Sequence, residues 1–398
     1  MNLIYKKWCV FIFLMSIYSC SKDNIKPEPP VLEDKTFEVN ESLVSVMNHE
    51  DSLLIKSVEN YVIRSNDSNY NPLDSWFYAD SLSIYPYFEL FKNVRESNRI
   101  QVLALTSEKG YKEIKLAFLN GTNIETILNI PALPSKDMGY ILLNYYDTYR
   151  RVKSQQFGNI RYFNHSTYQI NPEEVNKMLA FGKQLSAFFK ISELKFDYYI
   201  FDNSKDLYAT LGYEYGPYMY DAYQANSFAR PADLSVFIGS STAYNPHELT
   251  HLYVQSFIGA TNPNVANPNS LLDEGFATYF GGAQGGYSLK QSTLMALNYY
   301  KLHEVCFEEI ENLGFLIEDI VNFKNVFYGN FVKYLIEYYS PEYALQVLSS
   351  CNTDEELNTL LKSKMMNDET FNEFVIRIIL TVNPPESEKT DKFLRGSF

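Results

Sequence analysis

The stretch Asn245-Pro246-His247-Glu248-Leu249-Thr250-His251, with Ser270-Leu271-Leu272-Asp273-Glu274-Gly275-Phe276-Ala277-Thr278-Tyr279-Phe280 after it, carries the densest chemistry in the chain. Asn245-Pro246 reads as a helix start: the Asn side chain can accept a first-turn N–H, and proline's missing N–H would have had no helical partner there. On that helix His247 and His251 stand one turn apart on one face, so both imidazoles can reach one ion. Glu248, beside the first His, is expected next to the ion's open coordination position, where it can accept a proton from water. A plainer reading makes Glu248 the capping-box partner of Asn245 and the His pair a surface feature. The helix is expected to run to about Ile258 and stop at Gly259. An Asn- and Pro-rich loop, Thr261 to Asn269, leads to a second helix that starts at Ser270 and ends at Gly281-Gly282.

The pair His-Glu-Leu-Thr-His and Asp-Glu-Gly-Phe-Ala-Thr-Tyr-Phe resembles the gluzincin group of zinc peptidases, which includes thermolysin-like enzymes and the large aminopeptidase family. The resemblance covers about residues 234 to 340. It implies one Zn2+ per chain, held by His247, His251 and Glu274, with Glu248 as general base and acid, and a zincin-like fold acting on peptide or protein substrates. A catalytic zinc keeps three protein ligands and leaves a fourth position for water, which it acidifies to near neutrality. The 23-position step from His251 to Glu274 is slightly longer than the group's usual spacing. The resemblance also implies a phenol or imidazole for the oxyanion. Tyr328 is the main candidate, with Tyr279, Tyr334 and His303 behind it, each of which also reads as an ordinary core aromatic. Leu234–Ile238 is similar to the edge strand that pairs with substrate in such enzymes, and it reads equally well as an ordinary buried strand. Asp273 fits either an acidic helix start, the preferred reading, or a group orienting a ligand. The Gly-rich amine-binding motif of the aminopeptidases is not evident, which favours an endopeptidase or a specialised peptidase.

Around this stretch the chain reads as α+β: a small mixed sheet with the active-site helices, then an all-helical C-terminal half from Leu289. Strands are expected at Ile160–Phe163, Phe196–Phe201 and Leu234–Ile238. A helix from Asn171-Pro172-Glu173-Glu174 should reach Phe189. These belong to a peptidase domain over 151–398. The preceding region, 37–150, shows helices around 41–64 and 82–96 and a hairpin of Val102–Leu105 with Ile114–Leu119 turning near Lys109-Gly110. No chemical motif marks that region, which reads either as a separate module or as part of the same fold.

At the N-terminus, Lys6-Lys7 and the short apolar run Val10–Ile17 read as a signal peptide over 1–19. Ile17-Tyr18-Ser19-Cys20 resembles the lipobox of bacterial lipoproteins. It implies a lipidated Cys20, a Pro-rich tether over 20–36 and an outer-membrane lipid anchor, with the protein in the bacterial cell envelope, surface-exposed or periplasmic. The net charge of −14 gives no basic footprint for nucleic acid. Cys306 and Cys351 form either one disulfide or two thiols. The abundance of 33 Tyr and 28 Phe keeps a second function open, a non-catalytic surface lipoprotein binding glycans or peptides beside a degenerate or structural zinc site.

Overall fold

In the computed structural model the described residues run from Thr36 to Asn383, excluding 65–96, 98, 109, 137–138, 144, 151, 217–218, 221–226, 266, 284–285, 304–312, 315, 318–320 and 367–368. The signal peptide, Cys20, most of the tether, the helix expected at 82–96 and Cys306 lie outside them. Cys351 is buried and holds a free thiol. Among the described residues no helix is long and apolar enough to cross a membrane.

The chain begins with β1 (Thr36–Val39), α1 (Glu41–Val44) and α2 (His49–Arg64). The single helix expected over 41–64 is broken because Asn48 and Asp51 cap each other reciprocally, each side chain taking the other's backbone N–H at 3.0 Å. Next come β2 (Arg99–Glu108), β3 (Tyr111–Asn120), β4 (Asn123–Ser135) and β5 (Gly139–Leu142), an antiparallel meander to which β1 adds in parallel. The expected hairpin is present and longer than its apolar core suggested. It turns at Gly110, whose φ of 87° is a conformation that costs glycine little.

A second sheet follows, from β6 (Ser154–Phe157), β7 (Ile160–Asn164), α3 (Pro172–Phe189), β8 (Phe196–Ile200), α4 (Ser204–Thr210), β9 (Tyr213–Tyr215), β10 (Phe228–Arg230) and β11 (Ser235–Ile238). Its order is β10-β11-β8-β7-β6, with β7, β8 and β11 parallel and the two outer strands antiparallel. Parallel neighbours need a crossover, and α3 supplies it between β7 and β8. Helix α3 has the bounds its caps predicted, with Asn171 accepting from Glu173 N. The strand expected at Leu234–Ile238 is an interior one. The edge is β10, three residues long and joined to β11 through a turn that puts Leu234 at φ 51°. So short a strand leaves no alternation in the sequence.

Side-chain alternation sends the two faces of this sheet into different cores. Tyr162, Tyr198, Ile200, Val236 and Ile238 pack with the helices. Phe163, Tyr199, Phe201 and Phe237 pack with the first sheet and with Leu207, Tyr208 and Tyr213. On this second face, register partners Phe163, Tyr199, Phe237 and Phe228 stack in a row at 4.6, 4.4 and 5.0 Å. Strand β9 itself pairs with β4 of the first sheet. Residues of the region 37–150 therefore share a core with one face of the second sheet.

Helices α5 (Pro246–Thr261), α6 (Ser270–Gly281) and α7 (Leu289–His303) lead to the short pair β12 (Leu316–Ile317) and β13 (Val321–Asn322). Helices α8 (Phe323–Tyr334), α9 (Pro341–Ser350), α10 (Asp354–Leu360) and α11 (Phe371–Val382) complete a mostly helical C-terminal half. The architecture is mixed, helices and several small sheets, as an α+β reading requires. Helix α5 runs past Gly259. A glycine costs a helix interior about 1 kcal/mol, and buried Val254, Phe257 and Ile258 hold this turn in the core until Asn262 ends it.

Burying a ring such as Tyr199, Phe201 or Phe237 contributes about 1.5–3 kcal/mol. Uncovering all three costs an amount comparable with a typical domain's stability of about 5–15 kcal/mol. A fragment of residues 151–398 should thus lack the near-ultraviolet circular dichroism of a packed core, and a cooperatively unfolding fragment would contradict this account.

Candidate metal centre

The first turn of α5 is set by Asn245, whose side chain accepts from Glu248 N at 3.2 Å. The reciprocal bond from the Glu248 carboxylate to the Asn245 N–H, which closes the capping boxes at Thr353/Glu356 and Thr370/Glu373, is not formed here. The Glu248 side chain faces a cleft of about 920 Å³ that His247, His251, Asp273 and Glu274 also line.

Helix α6 lies against α5 with almost no space between backbones. A Cβ on Gly281 would stand 2.3 Å from His247 N, so only glycine fits. The next residue, Gly282 at φ 90°, turns its carbonyl toward the His247 ring, which donates to it from Nδ1 at 2.8 Å. That bond fixes the tautomer and leaves the Nε2 lone pair for a ligand. On the other side His251 meets a carboxylate, its Nδ1 lying 2.8 Å from Asp273 Oδ1 as an ion-pair contact without the alignment of a hydrogen bond. Asp273 is the acidic residue of the first turn of α6, as expected, and the cap itself is Asn269, which accepts from Leu271 N and Leu272 N. Asp273 lies one turn later, where its carboxylate meets an imidazole.

The remaining atoms converge. His247 Nε2 is 3.6 Å from Glu274 Oε2 and His251 Nε2 is 3.7 Å from Glu274 Oε1. One ligand atom from each of the three residues lies within 4.8 Å of the others. Ligands about 2.0–2.1 Å from a tetrahedral ion stand about 3.4 Å apart, so this group could hold a metal ion with small adjustments. Asn325 of α8 donates from Nδ2 to Glu274 Oε2 at 2.9 Å.

The electrostatics describe a site built around positive charge. For Glu274, burial favours the neutral acid, yet the His247 hydrogen bond and both imidazoles hold it down to about 2. For His251, burial favours the neutral ring, yet the charge and contact of Asp273 with the charge of Glu274 push it up to about 10. His247 is raised against the same burial, chiefly by Glu274. Burial dominates at Glu248 and raises it.

Tyr328 does not reach the cleft. It is fully buried, with its ring against Phe327 and Phe331 and its backbone carbonyl against Gly275. Tyr279 packs on Phe280, Tyr334 stacks on Tyr338, and His303 lies over Tyr299 at the end of α7; none of them lines the cleft. The phenol on the cleft wall is Tyr244, just before the helix cap, raised by its half-burial. The loop carrying it is pinned by Glu174, which accepts from Ala243 N at 2.7 Å and Thr242 Oγ1 at 2.9 Å. Neither Tyr244 nor Asn325 belongs to a spacing pattern that sequence reading could have used.

Compared with known proteins, the chain matches no protein family, and no curated protein or solved structure is significantly similar to it.

Removing the partner of a ligating imidazole typically weakens metal binding about 10–100-fold. Asp273→Ala should show a loss of that size for Zn2+ in competition with a chromophoric chelator, and an unchanged affinity would exclude the orienting role.

Proposed function

We propose that this chain is a zinc peptidase of the gluzincin type, working in the bacterial cell envelope on peptide or protein substrates. The observation that carries the reading is the convergence of His247, His251 and Glu274 from two successive helices on one point, with the Glu248 carboxyl in the same cleft. Two imidazoles and one carboxylate suit zinc better than the oxygen-rich sets that select magnesium or calcium. A mixed sheet with an antiparallel edge strand, followed directly by the His-bearing helix, supports a zincin-like fold.

Zinc, when bound, supplies a Lewis acid that polarises a carbonyl and acidifies water. Gly282 and Asp273 keep the two imidazoles aimed. Glu248, raised by burial, accepts the proton of the attacking water and returns it to the departing amine. Phe228 and Ala229 of edge strand β10 line the cleft, so an extended peptide can lie along β10 as an added strand. That geometry suits the interior of a chain, in keeping with endopeptidase action. Cys20 would carry the lipid that anchors the protein to the outer membrane. The alternative of a binding lipoprotein with a decayed site fits less well, because every ligand and the base are present.

Glu248→Gln keeps the shape of the side chain and removes the base. It should retain Zn2+ while peptide hydrolysis falls about 10²–10⁴-fold. Wild-type turnover in this variant would overturn the mechanism.

A further inference from the structure

We infer that the C-terminal helical half completes the metal centre through Asn325, a positioning residue for the Glu274 carboxylate. The inference rests on the metal-binding part of the reading above and assigns a role to a residue outside both helices that carry the ligands.

Asn322 caps α8 by accepting from Lys324 N at 2.9 Å, which puts Asn325 in the first turn of the helix. Beyond it Val326, Phe327 and Tyr328 are fully buried and anchor that turn in the core. Helices α8 and α6 then meet at two glycines, one on each. A Cβ on Gly275 would stand 2.9 Å from the Tyr328 carbonyl oxygen, and one on Gly329 would stand 2.8 Å from Thr278 Cγ2. Side chains at these two positions would hold the helices apart. Their close approach brings the Asn325 amide within 2.9 Å of Glu274 Oε2, next to the Gly275 contact.

The residue type matters. Glu274 must stay anionic to attract a divalent ion, and its plane must be fixed so that one oxygen meets the site where the imidazoles point. A Lys or Arg here would fix the plane and also neutralise the charge. A neutral amide donor fixes the plane and leaves the charge for the metal. The hydrogen bond occupies part of Oε2 and restrains rotation of the carboxylate, which lies 3.6 and 3.7 Å from the two Nε2 atoms. Without Asn325 the carboxylate gains rotamers that do not ligate, and binding must order it again.

The test uses the chain from residue 21 onward and Zn2+ alone, with affinity read by competition with a chromophoric chelator. Asn325→Leu, similar in volume but with no donor, should bind Zn2+ about 10–100-fold more weakly while the far-ultraviolet circular dichroism of the metal-free protein stays unchanged. Asn325→Ser, a smaller residue that keeps a hydroxyl donor, should recover part of the loss, and Asn325→Ala, smaller and with no donor, serves where the Leu variant fails to fold. Wild-type Zn2+ affinity in a folded Leu variant, or in Asn325→Ala where Leu does not fold, would overturn the role of Asn325 and leave the peptidase reading intact. A wild-type chain that binds no Zn2+ would overturn both. A wild-type chain that binds Zn2+ tightly, loses affinity in the Leu variant and cleaves no peptide would sustain Asn325 and sink the peptidase reading.

Discussion

The two helices that aim a pair of imidazoles and a carboxylate at one point touch backbone to backbone in this protein, and glycine makes that contact possible. Gly281 lets the end of α6 rest on the backbone of His247, and Gly282 turns a carbonyl into the ring of the same residue. From that contact, Asp273 and Glu274 fall opposite His251 about two turns away. A methyl group at position 281 would push the helices apart and separate the cluster. The pair Gly281-Gly282 reads in sequence as a helix stop. In the structure it also sets the distance between the helices that carry His247, His251 and Glu274.

The same device recurs between α6 and α8, where Gly275 and Gly329 let the helical half approach Glu274. It also gives the Glu-Gly-Phe-Ala segment a physical meaning: the residue after the ligand must lack a side chain because Tyr328 is packed against it. Tyr328 is placed by sequence near the chemistry, and the structure uses it as a spacer behind the site. On the far side of the sheet, the aromatic row from Phe163 to Phe228 joins the region 37–150 to the edge strand at the cleft. The wall of the cleft beside the candidate metal centre therefore depends on packing from both ends of the chain.

Periodicity and capping made the local parts legible. The i, i+4 spacing put His247 and His251 on one face, and Asn171-Pro172 and Asn245-Pro246 marked helix starts that the structure keeps. Contacts between elements were harder to read. Phe228–Arg230 is too short to show alternation, so the edge passed to its longer neighbour Leu234–Ile238. In sequence Asp273 reads first as the acidic residue of a helix start, which it is, and only the approach of α5 shows that its carboxylate also meets an imidazole. Asn325 sits in no motif, and its contact with Glu274 spans 51 positions. Gly259 carries the mark of a helix stop, yet the buried residues around it hold the helix for two residues more.

The central claim is that His247, His251 and Glu274 form a three-ligand metal centre. It is tested most directly by the zinc content of the purified chain from residue 21 onward, measured by elemental analysis beside Glu274→Ala. The account predicts about one zinc per chain, lost or much weakened in the variant. A native chain that holds no zinc after reconstitution, or a variant that holds it as well as the native chain, would contradict it.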